Sequence, residues 1–284
     1  FYSALRRLRM NPENRTHKRQ CWQAWCDGVP DQYVNKQVRS MLGSRSLSTQ
    51  IAGVIIAGFH RESYNVFDKD VFNILVNMVN RKTNIRLLAR ILDEFSFCED
   101  LHDDMWPSFS WIVEHSSPLA RYSFVLATLG HDSPVVEECL LKLMKDKVIN
   151  VRDWATFSVG TINNMDSGAI RNALIENADD SDEGVRHEAI CGMARLKMPE
   201  VSAFIIREIE NYTESNLIYE SMAVFPRAEY YEVLKPLMDD KCGSDRGNGK
   251  ICKCCLAKRD AWKAVNDLMK ASGQSDAAST RTGE

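Results

Sequence analysis

The stretch VRDWA at residues 151–155 returns as VRHEA at residues 185–189, 34 positions further along the chain. In each copy, apolar residues continue at helical spacing, and an aspartate-containing turn comes just before the motif. A motif that recurs with a period of about 20 to 50 residues indicates stacked structural repeats. The spacing therefore predicts a chain built from similar helical units, which presents a surface rather than enclosing a pocket.

The arginine of this motif recurs outside these two copies. Arg86, Arg121, Arg152 and Arg186 are separated by 35, 31 and 34 residues. Between them, helices of about 10–14 residues are joined by short turns rich in Asp, Asn, Ser, Pro and Gly, as antiparallel helix pairs require. No clear alternating pattern with hairpin turns suggests strands. The sequence predicts an all-α fold of six to seven helix pairs.

Residues 134–196 resemble HEAT repeats, in particular the short bacterial form known as the PBS-lyase HEAT-like repeat. Residues 151–157 are close to the second-helix motif of that repeat. The resemblance implies a right-handed α-solenoid (an α–α superhelix) whose second helices line the concave surface. We expect the array to occupy residues 21–271 and to be clearest over 134–196. Because such a fold hosts many activities, the resemblance says little about function.

Two terminal segments are expected to lie outside the array. Residues 1–20 are rich in arginine and predict a basic arm or a helix that caps the first repeat. Residues 272–284 contain no large apolar side chain, which predicts a disordered tail.

Charge is divided unevenly along the chain. The formal net charge is −3, and residues 1–40 and 241–260 contribute +5 and +4, which leaves −12 for residues 41–240 because the remainder balances. An acidic body disfavours nucleic acid as a partner, since neutralisation of phosphates supplies most non-specific affinity for it. We expect the partner to be another protein or a peptide.

Apolar segments and cysteines give expectations about the compartment. The longest apolar run, residues 51–59, is much shorter than the roughly 20 residues that cross a bilayer, so we expect no membrane insertion. The nine cysteines are odd in number and mostly scattered through helical patterns. This usage is typical of a reducing, cytoplasmic compartment rather than of a disulfide framework.

The HEAT resemblance also implies roles for the motif residues. In HEAT repeats, an acidic residue of the turn and the arginine of the second helix form a ladder of polar contacts between neighbouring units. The matching residues are Asp146 with Arg152 in one copy, and Asp180 or Asp182 with Arg186 in the next. These residues are therefore expected to be structural.

The side chains beside this ladder are the predicted partner-binding residues: Arg121, Asp153, Trp154, His187 and Glu188. Asp153 and His187 share one repeat position and are expected to point outwards, towards the concave surface. Exposed tryptophan is a frequent hot spot at interfaces, but the residues favour packing between repeats as the role of Trp154. The leading hypothesis is a non-enzymatic scaffold or adaptor that binds its partner on the second-helix face.

Enzymatic functions form a second class of hypothesis. Some HEAT-like arrays are bilin lyases, and others are DNA glycosylases that act on alkylated bases. A glycosylase needs a basic groove with aromatic residues and a carboxylate. Only four residues match this requirement: Arg121, Arg152, Asp153 and Trp154. The sequence contains no G-x-S-x-G, H-E-x-x-H, P-loop or dinucleotide-binding motif, so no catalytic residue is assigned.

A glycine-rich insertion at residues 241–255 carries four cysteines, Cys242, Cys252, Cys254 and Cys255. Four thiolates could hold a zinc ion, but the spacing C-x9-C-x-C-C lacks the paired C-x2-C elements of structural zinc sites. Neighbouring lysines and an arginine would lower the thiol pKa values and favour a redox-sensitive loop. A flexible loop with incidental cysteines is the interpretation that the spacing favours. A metal- or redox-responsive regulator thus stays an alternative function, and no other cofactor is expected.

Overall fold

The structure, a computed structural model, describes residues 30–64, 67–211, 215–238 and 253–272. Within these residues the chain forms fourteen α-helices, three short 3-10 turns and one π turn, and no strand. The prediction of an all-α protein is therefore confirmed. The expected basic arm at residues 1–20, Cys242, Cys252 and the tail after residue 272 lie outside the described residues.

The chain divides into two compact units at Cys139 and Leu140. In the first unit, α1 packs on α2, α2 packs on α4, and α4 packs on α6. The helices of this unit are α1 (Asp31–Leu42), α2 (Leu47–Tyr64), α3 (Lys69–Met78), α4 (Ile85–Glu94), α5 (Trp106–Phe109) and α6 (Pro118–Ala127). The next helix, α7 (Pro134–Leu143), contains the division between the units.

In the second unit the even-numbered helices pack in series, α8 on α10, α10 on α12, and α12 on α14. Among the odd-numbered helices, α9 packs on α10, and α11 packs on both α10 and α12. The helices of this unit are α8 (Ile149–Phe157), α9 (Gly168–Asn177), α10 (Glu183–Arg195), α11 (Val201–Glu210), α12 (Asn216–Val224), α13 (Tyr230–Leu234) and α14 (Lys253–Ala271).

Polar side chains fix where several of these helices begin. Asp68, Ser167 and Asp182 accept hydrogen bonds from main-chain N–H groups three residues later, at the starts of α3, α9 and α10. Asn84 caps α4 in a similar way. Each cap satisfies an amide that has no partner inside the helix and contributes about 1 kcal/mol.

One of the predicted helices is irregular in the structure. The sequence predicts one helix over residues 105–114, whereas the structure has the short α5 between two 3-10 turns, Asp103–Met105 and Ser110–Glu114. Pro107 lies at the start of α5, and proline is tolerated only in the first turn of a helix because it lacks an amide donor. The segment nevertheless buries the side chains of Trp106 and Phe109.

The first unit has an aromatic core. The ring centroids of Phe72 and Phe95 are 5.9 Å apart, and those of Phe95 and Phe109 are 6.4 Å apart. Trp106 meets Phe124 edge to face at 6.0 Å. These separations fall within the range in which aromatic pairs attract each other beyond simple burial. The irregular segment around α5 is therefore held to α4 and α6 by its aromatic side chains.

The second unit has an aliphatic core that both copies of the motif supply in the same way. The residues at the first, fifth and ninth positions of each copy are buried, as expected for one stripe of a helix. They are Val151, Ala155 and Val159 in the first copy, and Val185, Ala189 and Met193 in the second.

The motif arginines turn back towards the turn that precedes their own helix. In α8, Arg152 Nη1 donates to the main-chain oxygen of Asp146 at 2.7 Å, and in α10 Arg186 Nη1 donates to that of Asp180 at 3.1 Å. In the first unit, Arg121 does the same to His115 at 2.6 Å. The acceptor lies six residues before the arginine in all three helices. Each guanidinium thus holds the turn against the helix that follows it.

Two of these arginines also bind a carboxylate from further along the chain. Arg152 Nε and Nη2 donate to the two oxygens of Asp180 at 2.8 and 3.0 Å. Arg186 donates in the same fork geometry to Glu208 of α11, at 3.1 and 3.3 Å. Such bidentate, charge-assisted pairs are stronger than neutral hydrogen bonds and fix the relative orientation of their partners.

This arrangement differs from the expected ladder. Arg152 donates to the main-chain oxygen of Asp146, and its carboxylate partner is Asp180, in the turn before α10. Asp182, expected as a partner of Arg186, instead caps α10 by accepting from Val185 N. The difference arises because the side chain of the arginine extends past its own turn and reaches the turn packed beside it.

Helix α8 ends in a π turn, Ser158–Ile162, where the sequence predicts ordinary helix through Ile162. The main chains of Gly160 and Gly192 meet at this point. A Cβ atom added to Gly192 would lie only 2.7 Å from Gly160 Cα. The carbonyl oxygen of Gly160 accepts a hydrogen bond from Arg195 Nη1 at 2.9 Å. Glycine at both positions therefore lets α10 approach the end of α8 backbone to backbone.

We predict that Gly192→Ala destabilises the protein by about 1–3 kcal/mol, because the added methyl group has no space unless the backbone shifts. The free energy of unfolding in urea is the measurement. Gly168→Ala in α9 is the matched control, since nothing lies within 4 Å of an added Cβ there. An equal loss in both variants would contradict the proposed close approach.

We predict that Asp180→Ala lowers the free energy of unfolding by about 2 kcal/mol, because it leaves the largely buried Arg152 guanidinium without its bidentate carboxylate. The side chains of Arg152 and Asp180 are 15% and 12% exposed. Asp166→Ala removes a similar pair with Arg171 that is exposed to solvent, and it should leave the urea midpoint unchanged. Equal effects of the two substitutions would show that the buried pair has no special role.

Candidate functional site

Three neighbouring even-numbered helices of the second unit share a polar face. Its residues are spaced three or four positions apart in each helix, which places them on one side of that helix. We call this surface the α8–α10–α12 face. It consists of Asp153, Phe157 and Thr161 from α8 and its π turn, Glu188, Cys191 and Arg195 from α10, and Glu220 and Val224 from α12.

Contacts and charge interactions join the side chains of the three helices. Thr161 Oγ1 lies 3.9 Å from Cys191 Sγ, between the π turn and α10. Glu188 of α10 interacts electrostatically with both Asp153 of α8 and Glu220 of α12. The face thus carries a row of three carboxylates, one from each helix.

Glu188 has the most perturbed carboxyl group of this row. Burial, followed by repulsion from Asp153 and Glu220, raises the pKa of Glu188 to about 7. Its Oε2 atom is shielded from solvent and accepts no hydrogen bond from the described residues. Desolvation and like charges both disfavour the ionised form of a carboxyl group. At neutral pH, Glu188 is therefore balanced between its charged and neutral forms.

Asp153 lies over the first turn of α10. A Cβ atom on Gly184 would be 3.2 Å from Oδ1 of Asp153 and 3.1 Å from Oδ1 of Asp182. Both carboxylates therefore approach α10 at a glycine that leaves room for them. Burial, and then the charge of Asp182, raise the pKa of Asp153.

Aromatic side chains lie beside the carboxylates. The rings of Trp154 and Phe157 meet edge to face with centroids 5.5 Å apart, and both are half-buried. Trp154 thus packs within its own helix and keeps part of its ring accessible. Such a surface offers apolar contact area next to negative charge, a combination that suits long cationic side chains.

The thiol next to Glu188 is not activated. Burial raises the pKa of Cys191, and the charge of Glu188 adds to that increase. A thiol is nucleophilic only as the thiolate, so Cys191 is held in its unreactive form. Arg195, a cation on the same face, donates to the main-chain oxygen of Gly160.

Two of the five predicted partner-binding residues are not on this face. His187 was expected to point outwards, but it is only 4% exposed, and its Nε2 lies 3.3 Å from Glu208 Oε2. The carboxylate of Glu208 in α11 gives this ring a partner inside the fold. Arg121 belongs to the first unit and is only 5% exposed, because it donates to the main-chain oxygens of His115 and Ser116.

The other three, Asp153, Trp154 and Glu188, lie at or beside the α8–α10–α12 face. The structure adds Glu220, which the sequence analysis missed. Glu188 follows Asp153 by 35 positions, and Glu220 follows Glu188 by 32, so the repeat spacing itself could have found it. The signal was hidden because α12 lacks the Val-Arg motif that marks α8 and α10.

The cysteine insertion is described only in part. Cys254 and Cys255 lie at the start of α14 and are half-buried, whereas Cys242 and Cys252 lie outside the described residues. In the part of the chain that the structure describes, no three His, Cys, Asp or Glu side chains are placed to share a metal ion. The zinc and redox hypotheses for this insertion stay predictions.

No helix among the described residues is long and apolar enough to cross a membrane.

Comparisons with known proteins place the fold but not the activity. No family model matches the chain. Protein YibA from Escherichia coli strain K12 and that from strain O157:H7 are each 35% identical to the chain over 165 residues. The matched region covers 54% of this chain and 56% of each relative, so the chain spans about half the length of the curated relatives it matches.

A solved structure extends this likeness. An X-ray structure of E. coli YibA matches with a TM-score of 0.62 at 20% sequence identity, and the match covers 92% of this chain and 91% of that one. At this identity the likeness shows a shared fold alone. The name YibA states no activity, ligand or partner.

We predict that Glu188→Gln makes the protein more stable than the wild type at pH 8, by about 1 kcal/mol once screening by solvent is allowed for. The ordinary pKa of Glu188 is 4.5, and its folded value is about 7. Between these values the folded protein holds a proton that the unfolded chain releases, so stability falls as the pH rises through this window. Glutamine does not titrate and escapes this loss.

Urea midpoints at pH 4.5 and pH 8 test this prediction. The advantage of the variant should vanish at pH 4.5, where Glu188 is protonated in the folded state. Glu210→Gln, at an exposed position of α11, is the control and should show no such pH dependence. An advantage of equal size at both pH values would refute the electrostatic explanation.

Proposed function

We propose that this protein is a HEAT-like helical repeat protein of six to seven helix pairs that acts as a non-enzymatic scaffold or adaptor. Its partner, another protein, binds the α8–α10–α12 face. The observation that carries the proposal is the row of Asp153, Glu188 and Glu220 on three helices packed in series, next to the half-exposed rings of Trp154 and Phe157.

The recurring arginine supports the repeat assignment. The same hydrogen bond to a main-chain oxygen six residues earlier is made by Arg121, Arg152 and Arg186. Serial packing of even-numbered helices within each unit is what stacked helix pairs produce. These contacts within the fold give the arginines a structural role. The neighbouring side chains of the same helices are therefore the ones that can bind a partner.

The electrostatics of the face support a binding role. Strongly shifted pKa values mark places where charged groups lie together without compensation, and these are frequently functional. Glu188 lies between two further carboxylates and is partly desolvated. A partner that supplies positive charge and hydrogen-bond donors would relieve the repulsion between these carboxylates. The relief of this repulsion would contribute to the free energy of binding.

Binding is a better account of the face than catalysis. A carboxyl group with a pKa near 7 is suited to acid–base chemistry, but the adjacent Cys191 is held as a thiol. The glycosylase hypothesis drew on Arg121 and Arg152, which are engaged with main-chain oxygens and, for Arg152, with Asp180. The bilin lyase hypothesis rests on the family resemblance alone.

Site-directed photo-crosslinking in the native cell tests the proposed function. Benzoylphenylalanine at Val224, which is 51% exposed on α12, should give a covalent conjugate with a single protein partner. The same residue at Asn172, exposed on the odd-numbered α9, is the control and should give none. Conjugates from Asn172 alone, or from neither position, would refute the assignment of this face.

A further inference from the structure

We propose that the α8–α10–α12 face binds a segment of the partner in which lysine or arginine side chains are spaced to meet Asp153, Glu188 and Glu220. The inference rests on the proposed function and specifies the chemistry of the partner. Its basis is the charge of this helix face together with the depth at which one of its oxygens lies.

The charges that act on Glu188 and on its neighbour Asp153 are negative. They are Asp153 from α8, Glu220 from α12, and Asp182 behind Asp153 at the start of α10. Arg195 is a cation of this face and donates to the carbonyl oxygen of Gly160, while the charge of Asp182 also acts on Arg152 and Arg186. The face therefore has a net negative charge that its own side chains do not neutralise.

Glu188 provides a second observation that points to a ligand with donor groups. Its Oε2 atom is shielded from solvent and accepts no hydrogen bond from the described residues. A buried acceptor without a partner is costly, because it has lost water and gained nothing in exchange. A cationic side chain that reaches between α8 and α12 would supply both the missing donor and the missing charge.

The layout of the carboxylates favours several separate cations over a single ion. Packed helices lie about 8–10 Å apart, so one carboxylate per helix spreads the three charges along the row. In agreement with this, no three acidic side chains in the described segments are positioned around a common metal site. A segment in the polyproline II conformation has three residues per turn and rises about 3.1 Å per residue, so every third side chain returns to the same side at about 9 Å. A segment with a cation at every third residue matches the row.

The aromatic and aliphatic residues of the face suit the stems of such side chains. Lysine and arginine carry long apolar stems that pack on exposed rings while the charged ends reach polar groups. Trp154 and Phe157 lie on α8 beside Asp153, and Val224 lies one turn after Glu220 on α12. A neutral or acidic segment would gain only the apolar part of this surface.

Binding of a cation should be linked to proton release. A positive charge beside Glu188 favours its ionised form, so the bound state gives up the proton that the free face holds below pH 7. The ionised fraction of a group with that pKa rises about tenfold between pH 6 and pH 8, and the affinity should rise by the same factor. A complex that does not involve Glu188 would show no such change.

Isothermal titration calorimetry of the full chain tests this inference. The probe is an acetylated and amidated 12-residue peptide of four Lys-Gly-Ser repeats, compared with the same peptide carrying Glu for Lys. We expect the lysine peptide alone to bind, about tenfold more tightly at pH 8 than at pH 6. Glu188→Gln should weaken binding and abolish its dependence on pH, whereas Glu210→Gln should preserve both.

Three results would overturn the inference: equal binding of the two peptides, no binding of the lysine peptide, or an affinity that is unchanged between pH 6 and pH 8. A Glu188→Gln variant that binds as the wild type does would have the same consequence. The crosslink from Val224 separates these failures from failure of the proposed function. If that conjugate forms and the peptide results are negative, the face binds a partner that is not cationic.

Discussion

The bidentate pair between Arg152 and Asp180 is the interaction on which the second unit depends. One guanidinium joins the turn before its own helix, through the main-chain oxygen of Asp146, to the carboxylate of the turn that follows α9. In the next copy of the motif, Arg186 makes the equivalent contacts with the main-chain oxygen of Asp180 and the carboxylate of Glu208. Charges withdrawn from water are tolerated when each hydrogen-bonding group finds a partner, and here most do. The result is a fixed register between neighbouring helix pairs.

That register has a direct consequence for the main chain. Helices α8 and α10 pack against each other, and at Gly160 and Gly192 their main chains meet so closely that neither residue leaves room for a side chain. The π turn lies at this meeting point, and Arg195 binds the oxygen of Gly160 there. Polar contacts at one end of the pair and glycines at the other thus determine how close the two helices come. Residues one repeat apart in sequence become neighbours in space as a result.

The same stacking brings like charges together on the α8–α10–α12 face. Asp153, Glu188 and Glu220 would each be ordinary solvated carboxylates on an isolated helix. Packed side by side and partly desolvated, they raise the pKa of Glu188 to about 7. The arginine contacts therefore divide the acidic side chains of the second unit into two groups. Asp180 and Glu208 pair with arginines within the fold, whereas Asp153, Glu188 and Glu220 lie together on the face.

The sequence by itself determined the all-α class and the positions of most helices. The Val-Arg motif, the apolar stripe and the caps at Asp68, Ser167 and Asp182 are local signals, since each depends on residues of a single helix and the turn before it. That the motif arginines are structural, and that Asp153 and Glu188 bind a partner, stay predictions. Tertiary structure decided the rest. The carboxylate that pairs with Arg152, the burial of His187 against Glu208, and the addition of Glu220 to the acidic row all depend on which helix packs alongside. That choice is made by contacts between residues 20 to 35 positions apart, and no local pattern records it.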